Sequence, residues 1–592
     1  MFFKKMPKDK TNISTLTRLF LYLKPFKFTM VFVLILVLLI TAFELYRPIL
    51  IGDAIDLYLS EYTDPTMVEE SFHGILKTAA IYLVVLLASF VCNALSTWIL
   101  QKTGQKIIYQ MRQEVYEHIV SLHMQFFDTT PIGKIVTRVT NDTEALNEMY
   151  STILVKLFKN CVKVIGFIIV MLSIDVKMAL ISFVLFPIII ALTFLFRSIS
   201  RKAYRITRNK ITDINTFLSE NISGMKLIQI FAREKEKYKE FEYKSKELYK
   251  ANFREVMVFA IFRPSIYLLS IIALVIILYS GSSFVLLGSL SLGTLYIFVN
   301  YIGSLFEPIQ ELAEQFGTLQ SSIASAEKIF SILDIVPKVT NPNNPVDLPE
   351  VKGKIEFRNV WFAYENEDYV LKDVSFTIMP GEKVAFVGAT GAGKSSILNL
   401  IGRYYDIQKG EILIDGINIK ELNTEQLRNA IGQVQQDVFI FTGDIKSNIS
   451  LRNKDISLEE IKDASSYVNA STFIEKLPHS YDEPVTERGS TLSSGQRQLL
   501  SFARTLAFQP KILVMDEATA NIDTETESLI QEALEKLMTG RTTIMVAHRL
   551  STIQHSDNII VMHKGKVRES GTHQELLNKN GIYKKLYDLQ LA

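Results

Sequence analysis

The sequence predicts an α-helical membrane domain followed by a soluble α/β domain. Long apolar runs without charged residues are confined to the part of the chain before residue 310. In the second half, short β-rich runs alternate with helical patterns, and a glycine-rich loop follows one of these runs. A chain of 592 residues is expected to form several domains. The composition changes after about Ser321, and this change separates the two parts.

The overall composition excludes several classes of protein. Apolar residues make up 48% of the chain, the formal net charge is +2, and the mean hydropathy is +0.19. These values exclude a disordered chain, which combines low hydrophobicity with high net charge. They also give no support for nucleic-acid binding. The two cysteines, Cys92 and Cys161, lie in apolar stretches and indicate neither a disulfide framework nor a zinc site.

The apolar runs predict six membrane spans. A helix needs roughly 20 apolar residues to cross a bilayer core of about 30 Å. The last run is long enough for two spans with a turn near Ser280 to Gly293, and the third run is the weakest because Lys159 and Lys163 lie inside it. A buried core helix is the alternative for a single run, but not for several in succession. The runs are Phe28–Phe43, Thr78–Gln101, Leu157–Ile174, Met178–Phe196 and Pro264–Phe306.

The distribution of charge predicts that both chain ends face the cytoplasm. Lys and Arg residues are frequent before the first span and after the second and fourth spans, whereas the connection after the first span is acidic. Positively charged connections mark the cytoplasmic side of a membrane. No cleavable signal sequence is evident. The two long cytoplasmic connections carry apolar residues at helical spacing, such as Ile107, Met111 and Val115, and are predicted to extend the spans as helices.

The second half of the chain predicts a mostly parallel sheet with flanking helices. A proline-rich stretch, Val336 to Glu350, is predicted to be a linker. We therefore expect a membrane domain at residues 1–320, a linker at 321–354 and an α/β domain at 355–592. The predicted strands are Ile355–Phe362, Val384–Val387, Ile412–Ile414, Ile512–Met515, Thr543–Val546 and Asn558–Met562.

A candidate phosphate-binding loop directly follows the strand Val384–Val387. The sequence GATGAGKSS fits the pattern G-x-x-x-x-G-K-[ST] between a strand and a helix, although a chance glycine-rich turn is the alternative. The glycines let backbone N–H groups converge on phosphate oxygens, and the start of the helix favours anions. Lys394 is predicted to contact the β- and γ-phosphates of ATP, and Ser395 to ligate Mg²⁺. The other candidate contacts are Gly388, Thr390, Gly391, Ala392, Gly393 and Ser396.

Two carboxylates follow the strand Ile512–Met515. Asp516 is predicted to hold Mg²⁺ through water, and Glu517 to act as the general base that polarises the attacking water. An acidic strand end alone is a weak signal, because such pairs are common on protein surfaces. Together with the glycine-rich loop, the pair predicts ATP hydrolysis.

These motifs together resemble the nucleotide-binding domain of ABC transporters. The sequence LSSGQ, Leu492–Gln496, is similar to the LSGGQ signature of that family, and Thr486–Gly489 resembles a short loop that precedes the signature in exporters. In this family the signature of one subunit closes over ATP bound to the other. The resemblance implies ATP contacts for Ser493, Ser494, Gly495 and Gln496, adenine stacking for Tyr364, a Mg²⁺-sensing role for Gln436, a D-loop role for Asp523 and a γ-phosphate contact for His548.

The resemblance extends over the membrane half of the chain. Phe126–Asp142 is similar to the first coupling segment of exporters, and Glu220–Glu234 is similar to the second. Six spans followed by one nucleotide-binding domain imply a half-transporter in the plasma membrane, with ATP and Mg²⁺ as cofactors. The implied partners are a second half-transporter, membrane lipids and a hydrophobic or amphipathic cargo, without nucleic acid.

The sequence departs from the family pattern in the signature, and its D-loop reads ANID rather than the usual SALD. Ser494 replaces the first of the two signature glycines. Glycine allows close approach and unusual backbone angles, whereas serine adds a Cβ atom and a hydroxyl. The ATP-binding face is intact, with Lys394, Gln436, Glu517 and His548 present. We therefore expect a heterodimer with one hydrolytic and one degenerate ATP site, and a homodimer that tolerates serine is the alternative.

The expected function is ATP-driven export of hydrophobic or amphipathic compounds, as in multidrug exporters. A homodimeric lipid or peptide exporter and a non-pumping membrane protein regulated by ATP are the alternatives. Ionisable residues in the spans either line a cavity for polar cargo or pair with one another and reach the interface. They are Glu44, Arg47, Lys156, Lys159, Lys163 and Arg263.

Overall fold

The computed structural model describes residues 14–59, 68–348, 350–516, 524–546 and 553–591. Its contacts divide the chain into two units. The membrane unit contains Met1–Val120 and Ile132–Ile335, and the α/β unit contains Ser121–Pro131 and Val336–Ala592. A short piece of the N-terminal half thus belongs with the C-terminal half.

The membrane unit is a bundle of long helices. Among the described residues, five helical segments are long and apolar enough to cross a membrane. A sixth helix, Leu292–Leu333, holds the end of the last apolar run, but Asn300 and Glu307 interrupt its apolar sequence and it is not among the five. The sixth span therefore stays a prediction. The five segments are Thr15–Leu59, Glu69–Ser121, Ile132–Ile174, Val176–Ser223 and Glu234–Leu286.

The helices of the membrane unit continue well beyond the apolar runs. Val68–Ser121, Phe186–Ser223 and Glu234–Leu286 extend through the charged connections, as the helical spacing predicts. Asp175 separates two spans, because its side chain caps the next helix by accepting a hydrogen bond from Met178 N at 2.8 Å. The other α-helices are Thr15–Leu23, Lys27–Ala54, Ile132–Thr137, Thr143–Glu148, Leu154–Ile174, Val176–Ser182, Met225–Ile230 and Leu292–Leu333, with 3₁₀ turns at Lys24–Phe26 and Phe183–Leu185 and π-helical turns at Ile55–Leu59, Arg138–Asp142 and Met149–Ile153.

Two charged residues of the third span pair with a residue of the first. The Glu44 carboxylate lies 3.3 Å from Lys159 Nζ and 2.5 Å from Lys163 Nζ. Arg263 reaches Glu314 at 3.4 Å. Pairing within the unit therefore accounts for four of the six ionisable residues in the spans, while the Arg47 Nε atom is buried without a hydrogen-bond partner in the described residues and Lys156 is exposed.

The α/β unit contains a six-stranded sheet in the order β12-β11-β3-β10-β9-β6, in which neighbours from β11 to β6 are parallel. A second sheet, β2-β1-β4-β5, is antiparallel. The strands are β1 Ile355–Phe362, β2 Leu371–Ile378, β3 Lys383–Val387, β4 Lys409–Ile414, β5 Ile417–Asn418, β6 Ile431–Val434, β7 Gly443–Asp444, β8 Pro484–Val485, β9 Ile512–Asp516, β10 Thr542–Val546, β11 Asn558–His563 and β12 Lys566–Gly571.

All six predicted strands are present, but the prediction of one mostly parallel sheet is incomplete. Strands β1 and β4 belong to the antiparallel sheet. Glu356 and Arg358 occur on β1 and pair with each other at 2.6 Å, which is typical of a strand with a polar side. The helices of this unit are Met124–Thr129, Lys394–Ile401, Thr424–Asn429, Ile445–Ser450, Leu458–Tyr467, Ser471–Ile474, Ser494–Ala507, Thr524–Met538, His573–Asn578 and Ile582–Leu591, with 3₁₀ turns at Ser480–Asp482 and Glu487–Gly489.

The predicted linker packs along the α/β unit. The membrane-unit helix ends at Leu333, beyond the expected domain boundary at residue 320. Val346 N donates to Glu421 O at 2.8 Å, and the Arg403 guanidinium donates to Thr340 O at 3.1 Å. These hydrogen bonds hold the proline-rich stretch against the unit that follows it.

Candidate functional site

The candidate site lies at one edge of the six-stranded sheet. Strands β3, β10, β9 and β6 are neighbours and run parallel, so their carboxyl ends meet at the same edge. Ligands of open α/β sheets bind outside these carboxyl ends. Gly388 follows β3, Gln436 lies shortly after β6, and Asp516 ends β9. The topology thus gathers three separate sequence motifs.

Two glycines of the glycine-rich loop, Gly388 and Gly393, lie where a side chain would be too close to its neighbours. A Cβ atom on Gly388 would lie 2.3 Å from the carbonyl oxygen of Met562 on β11. Gly393 has φ +99°, and its Cβ atom would lie 2.7 Å from Leu371 Cδ2. The Lys394 ammonium donates hydrogen bonds to Gly388 O at 2.6 Å and to Ala389 O at 3.2 Å. The lysine therefore sits over the loop that leads to its own helix.

The helix Lys394–Ile401 begins at the end of this loop. Ser395 is exposed on the first turn, whereas Lys394 and Ser396 are buried. The first turn of a helix carries backbone N–H groups without helical partners, which favour a bound anion. Thr390 and Gly391 are exposed in the loop, and Ala392 is buried below it. This arrangement is suited to hold phosphate groups.

Tyr364 lies beside the phosphate-binding loop. Its hydroxyl is 3.0 Å from the hydroxyl of Ser396, and its ring packs edge-on against Tyr405 with centroids 5.0 Å apart. The ring is half-buried, so part of an aromatic face is accessible next to the loop.

The short helix Met124–Thr129 is attached to this aromatic pair. Gln125 Nε2 donates to the carbonyl oxygen of Tyr364 at 2.6 Å, and the Tyr405 hydroxyl donates to the Asp128 carboxylate. Lys338 Nζ in turn donates to Gln125 Oε1 at 2.7 Å. Part of the predicted first coupling segment therefore belongs to the α/β unit, next to Tyr364.

Asp516 and Gln436, the acidic and glutamine candidates, are more exposed than the buried loop residues Lys394 and Ser396. Asp516 is partly buried at the end of β9, and Gln436 is exposed after β6. Among the described residues, no group of three or more His, Cys, Asp or Glu side chains forms a candidate metal cluster. A hydroxyl at Ser395 and a carboxylate at Asp516 are oxygen ligands of the kind that Mg²⁺ prefers, with its remaining ligands from water and phosphate. Glu517, Asp523 and His548 lie outside the described residues.

The signature sequence forms the start of the helix Ser494–Ala507. Ser493 caps this helix, because its hydroxyl accepts from Gln496 N at 3.2 Å while Gln496 Oε1 accepts from Ser493 N at 2.9 Å. Ser494 is the first helical residue and is exposed, and Gly495 is buried. Ser494 has a helical conformation, so this position does not require the backbone freedom of glycine. The serine instead adds a side chain to an exposed helix start.

Comparisons with known proteins place the whole chain in one family. The family model of the ABC transporter transmembrane region matches residues 30–309, and the ABC transporter model matches residues 371–520. The chain belongs to the ABC transporters. It is 40% identical over 592 residues, 99% of each chain, to the putative ABC transporter ATP-binding protein exp8 of Streptococcus pneumoniae. As a member of this family, the transporter couples ATP hydrolysis to transport.

Proteins named as exporters or flippases are among the relatives of this transporter. The probable multidrug resistance ABC transporter ATP-binding/permease protein YheH of Bacillus subtilis is 42% identical over 83% of this chain and 73% of its own length. The ATP-dependent lipid A-core flippase of Syntrophus aciditrophicus is 36% identical over 84% of this chain and 83% of its own. A bacterial Atm1-family ABC exporter solved with ATP bound has a TM-score of 0.80 at 25% identity, covering 96% of this chain and 98% of its own.

Three residues near the site were missed by sequence reasoning. Gln125 and Tyr405 lie outside the motifs recognised in the sequence, Asp128 lies in the predicted coupling segment without an assigned role, and more than two hundred residues separate Gln125 and Asp128 from their partners. Such a contact needs the fold, because nothing local in the sequence marks it. Only the resemblance of Phe126–Asp142 to a coupling segment pointed to this region.

Proposed function

We propose that this transporter exports hydrophobic or amphipathic compounds across the plasma membrane, as one half of a heterodimer with one hydrolytic and one degenerate ATP site. The observation that carries the proposal is the contrast between two surfaces of the α/β unit. The phosphate-binding loop keeps its glycines where a Cβ atom would clash, and Lys394 contacts the loop, whereas Ser494 adds a side chain at the exposed start of the signature helix.

The ATP-binding face supports hydrolysis at the site of this chain. The backbone N–H groups of the loop and Lys394 hold the phosphates, contacts extend from Gly388 to Ser396, and Tyr364 stacks on adenine. Ser395, Asp516 and Gln436 hold Mg²⁺, which neutralises charge on the phosphates. Glu517 takes the proton of the attacking water, His548 contacts the γ-phosphate, and Asp523 has the role of the D-loop aspartate. All three residues lie outside the described ranges. The topology that gathers Gly388, Gln436 and Asp516 supports these roles.

The signature face supports a degenerate site at the partner. The first turn of the helix Ser494–Ala507 offers backbone N–H groups to the γ-phosphate of ATP on the other subunit. The added Cβ and hydroxyl of Ser494 stand where the phosphate approaches, so closure costs more there than with glycine. Because the backbone is helical, this effect is steric and arises only when the two subunits close.

An exposed apolar patch supports the need for a second subunit. The second coupling segment folds as the short helix Met225–Ile230 between two long helices. Its side chains Leu227, Ile230 and Phe231 are 61%, 66% and 66% exposed. Contiguous exposed apolar side chains mark interaction surfaces. In our proposal this patch docks on the nucleotide-binding domain of the other half-transporter.

The cargo class is proposed from the relatives. The one from Bacillus subtilis is named for multidrug resistance and the one from Syntrophus aciditrophicus for lipid A-core. Both kinds of compound have large apolar parts. A homodimeric lipid exporter is the second candidate, which the flippase relative favours.

The subunit composition of the native complex tests the heterodimer. The tagged chain is purified from its native membrane in mild detergent, and the complex is analysed by mass spectrometry. A second, different chain at equal stoichiometry is expected. Two copies of this chain alone contradict the heterodimer and the degenerate site together.

Nucleotide occlusion tests the asymmetry of the two sites. After a single turnover, radiolabelled ATP is expected to remain in one site and to be hydrolysed in the other. Ser494→Gly is expected to reduce this retention, because it restores close approach at the partner's ATP. Ser490→Gly, at an exposed position outside the signature helix, is the control and leaves retention unchanged. Equal loss of ATP from both sites of the wild type contradicts the proposal.

A further inference from the structure

A cavity of about 580 Å³ lies between the helices Phe186–Ser223 and Glu234–Leu286 of the membrane unit. Binding sites for drug-sized ligands have volumes of about 300–1,000 Å³. The cavity lies between two contacts that join these helices. On one side the rings of Phe196 and Phe262 stack with centroids 3.8 Å apart, and on the other side Lys210 approaches Glu247 at 3.8 Å. The two helices are therefore in contact on both sides of the cavity.

The lining comes from one face of each helix. Thr207 and Arg208 lie on the first helix, and Glu255, Val256, Phe259 and Arg263 lie on the second at helical spacing. All of these positions fall outside the uncharged runs Met178–Phe196 and Pro264–Phe306. Arg208 and Glu255 therefore avoid the energetic cost of charges in the bilayer core, whereas Arg263 borders the second run and pairs with Glu314.

Two opposite charges share this cavity without meeting. Arg263 pairs with Glu314 at 3.4 Å. Among the described residues, by contrast, neither the Arg208 guanidinium nor the Glu255 carboxylate forms an ion pair with the other or with a third group. The Thr207 hydroxyl, on the same lining, is buried and has no hydrogen-bond partner in the part of the chain that the structure describes, while Arg208 is exposed and Glu255 is half-buried. A cationic and an anionic side chain in one cavity, kept apart, match a ligand that carries both charges.

We propose that this cavity binds an amphipathic zwitterion, whose anionic group pairs with Arg208 and whose ammonium group pairs with Glu255. The apolar part of the ligand packs against Val256 and Phe259. A purely anionic amphiphile meets repulsion from Glu255, and a purely cationic one meets repulsion from Arg208. This inference rests on the proposed function, because it names the chemical class of the exported compound.

Binding of three matched probes tests the inference. Lysophosphatidylethanolamine, lysophosphatidylglycerol and an alkyltrimethylammonium ion, each with a 12-carbon chain, represent the zwitterion, the anion and the cation. Their binding to the purified full-length complex in nanodiscs, without nucleotide, is measured by displacement of a fluorescent lysophosphatidylethanolamine. The wild type is expected to bind the zwitterion at least about fivefold more tightly than the other two, as partly exposed ion pairs allow.

Substitutions assign this preference to the two charges. Arg208→Gln is expected to remove the preference over the cation, and Glu255→Gln to remove the preference over the anion. Arg208→Lys keeps the charge and is expected to keep the preference. Arg205→Gln and Glu242→Gln are the matched controls, because both residues are exposed on the same helices and do not line the cavity.

Equal binding of the three probes by the wild type overturns the inference, and so does unchanged selectivity in both Arg208→Gln and Glu255→Gln. Binding is measured without ATP and without transport. Failure of export with intact selectivity therefore contradicts the proposed function alone, and active export without selectivity contradicts this inference alone.

Discussion

The hydroxyl of Tyr405 donates a hydrogen bond to the carboxylate of Asp128. Tyr405 follows the helix Lys394–Ile401 of the phosphate-binding loop, whereas Asp128 lies between two membrane helices in the sequence. Burial, together with the neighbouring Asp128 carboxylate, raises the pKa of Tyr405 above its ordinary value. The hydroxyl therefore stays protonated and acts as a donor at physiological pH.

Tyr405→Phe is expected to uncouple transport from hydrolysis. The substitution removes the donor and leaves the Asp128 carboxylate without this hydrogen bond, so Ser121–Pro131 is held less firmly on the α/β unit. The number of cargo molecules moved per ATP is expected to fall at least about twofold, since a hydrogen bond to a charged group contributes about 1.5–3 kcal/mol. Tyr404→Phe is the control, and an equal fall in both variants contradicts the prediction. The ratio is measured in proteoliposomes.

The attachment of the same segment is expected to weaken in acid through His123. Lys338 N donates to His123 Nδ1 at 3.3 Å. Burial and then the charge of Lys338 lower the pKa of His123, so the folded protein favours the neutral ring. The stabilisation is complete above the usual histidine pKa of about 6.5 and is lost as the pH falls through the lowered value in the folded protein.

Thermal unfolding at pH 7.5 and pH 5.5 measures this contribution. His123→Asn keeps an acceptor that does not titrate in this range, so its midpoint is expected to fall less than that of the wild type between the two conditions. Identical shifts in the two proteins assign the pH dependence to other groups.

Gly388→Ala is expected to abolish ATP binding. The new Cβ atom would lie 2.3 Å from the Met562 carbonyl oxygen, so either β11 or the loop must move. Gly381→Ala is the control: Gly381 has φ +77° and open space around it, so that substitution costs about 1–2 kcal/mol of backbone strain and leaves the loop in place. The affinity of each purified variant for ATP is measured. An affinity of Gly388→Ala equal to that of the wild type contradicts the prediction that the clash displaces the loop.

Glu44→Gln is expected to destabilise the membrane unit. It leaves Lys159 and Lys163, four residues apart on one helix, without their shared carboxylate. Lys163→Gln in the same protein is expected to restore part of the stability, with a coupling energy of roughly 1 kcal/mol or more. Thermal unfolding of the single and double variants measures the coupling. The control is Glu148→Gln, which alters an exposed carboxylate without an ion pair in the described structure, and additive effects of the Glu44 and Lys163 changes contradict the prediction.

Glu517→Gln is expected to preserve ATP binding and to remove most hydrolysis, because the base is lost while the side-chain shape is kept. Phosphate release and nucleotide affinity are measured on the same preparation. Asp373→Asn changes an exposed carboxylate on β2 and serves as the control. Turnover near that of the wild type contradicts the role assigned to Glu517.

Elements with a clear local sequence pattern, such as the buried parallel strands, could be predicted from the sequence. Strands β3 and β9 lie within one residue of their predicted bounds, because buried parallel strands are short, continuous apolar runs. The strand Leu371–Ile378 was missed, since Lys372 and Asp373 interrupt its apolar pattern. The separation of the antiparallel sheet also escaped prediction, because strand pairing is decided by partners elsewhere in the chain.

The part of the site that could be predicted is the part whose motif also specifies the neighbouring strand and helix. The phosphate-binding loop follows a strand and opens a helix, as the pattern requires. For Ser494, by contrast, the signature pattern alone did not predict the local backbone, and the capping box of Ser493 and Gln496 fixes a regular helix start. The contacts of Gln125 and Asp128 depend on tertiary structure alone.

The assignment of Ser121–Pro131 to the α/β unit has a consequence for exchanging parts between related transporters. A chimera made with one junction near residue 335 inherits the Tyr405 hydroxyl from one parent and the Asp128 carboxylate from the other. A hybrid with two crossovers keeps this small helix with the ATPase that holds it, and it therefore preserves the hydrogen bond whichever residues the other parent has at these two positions.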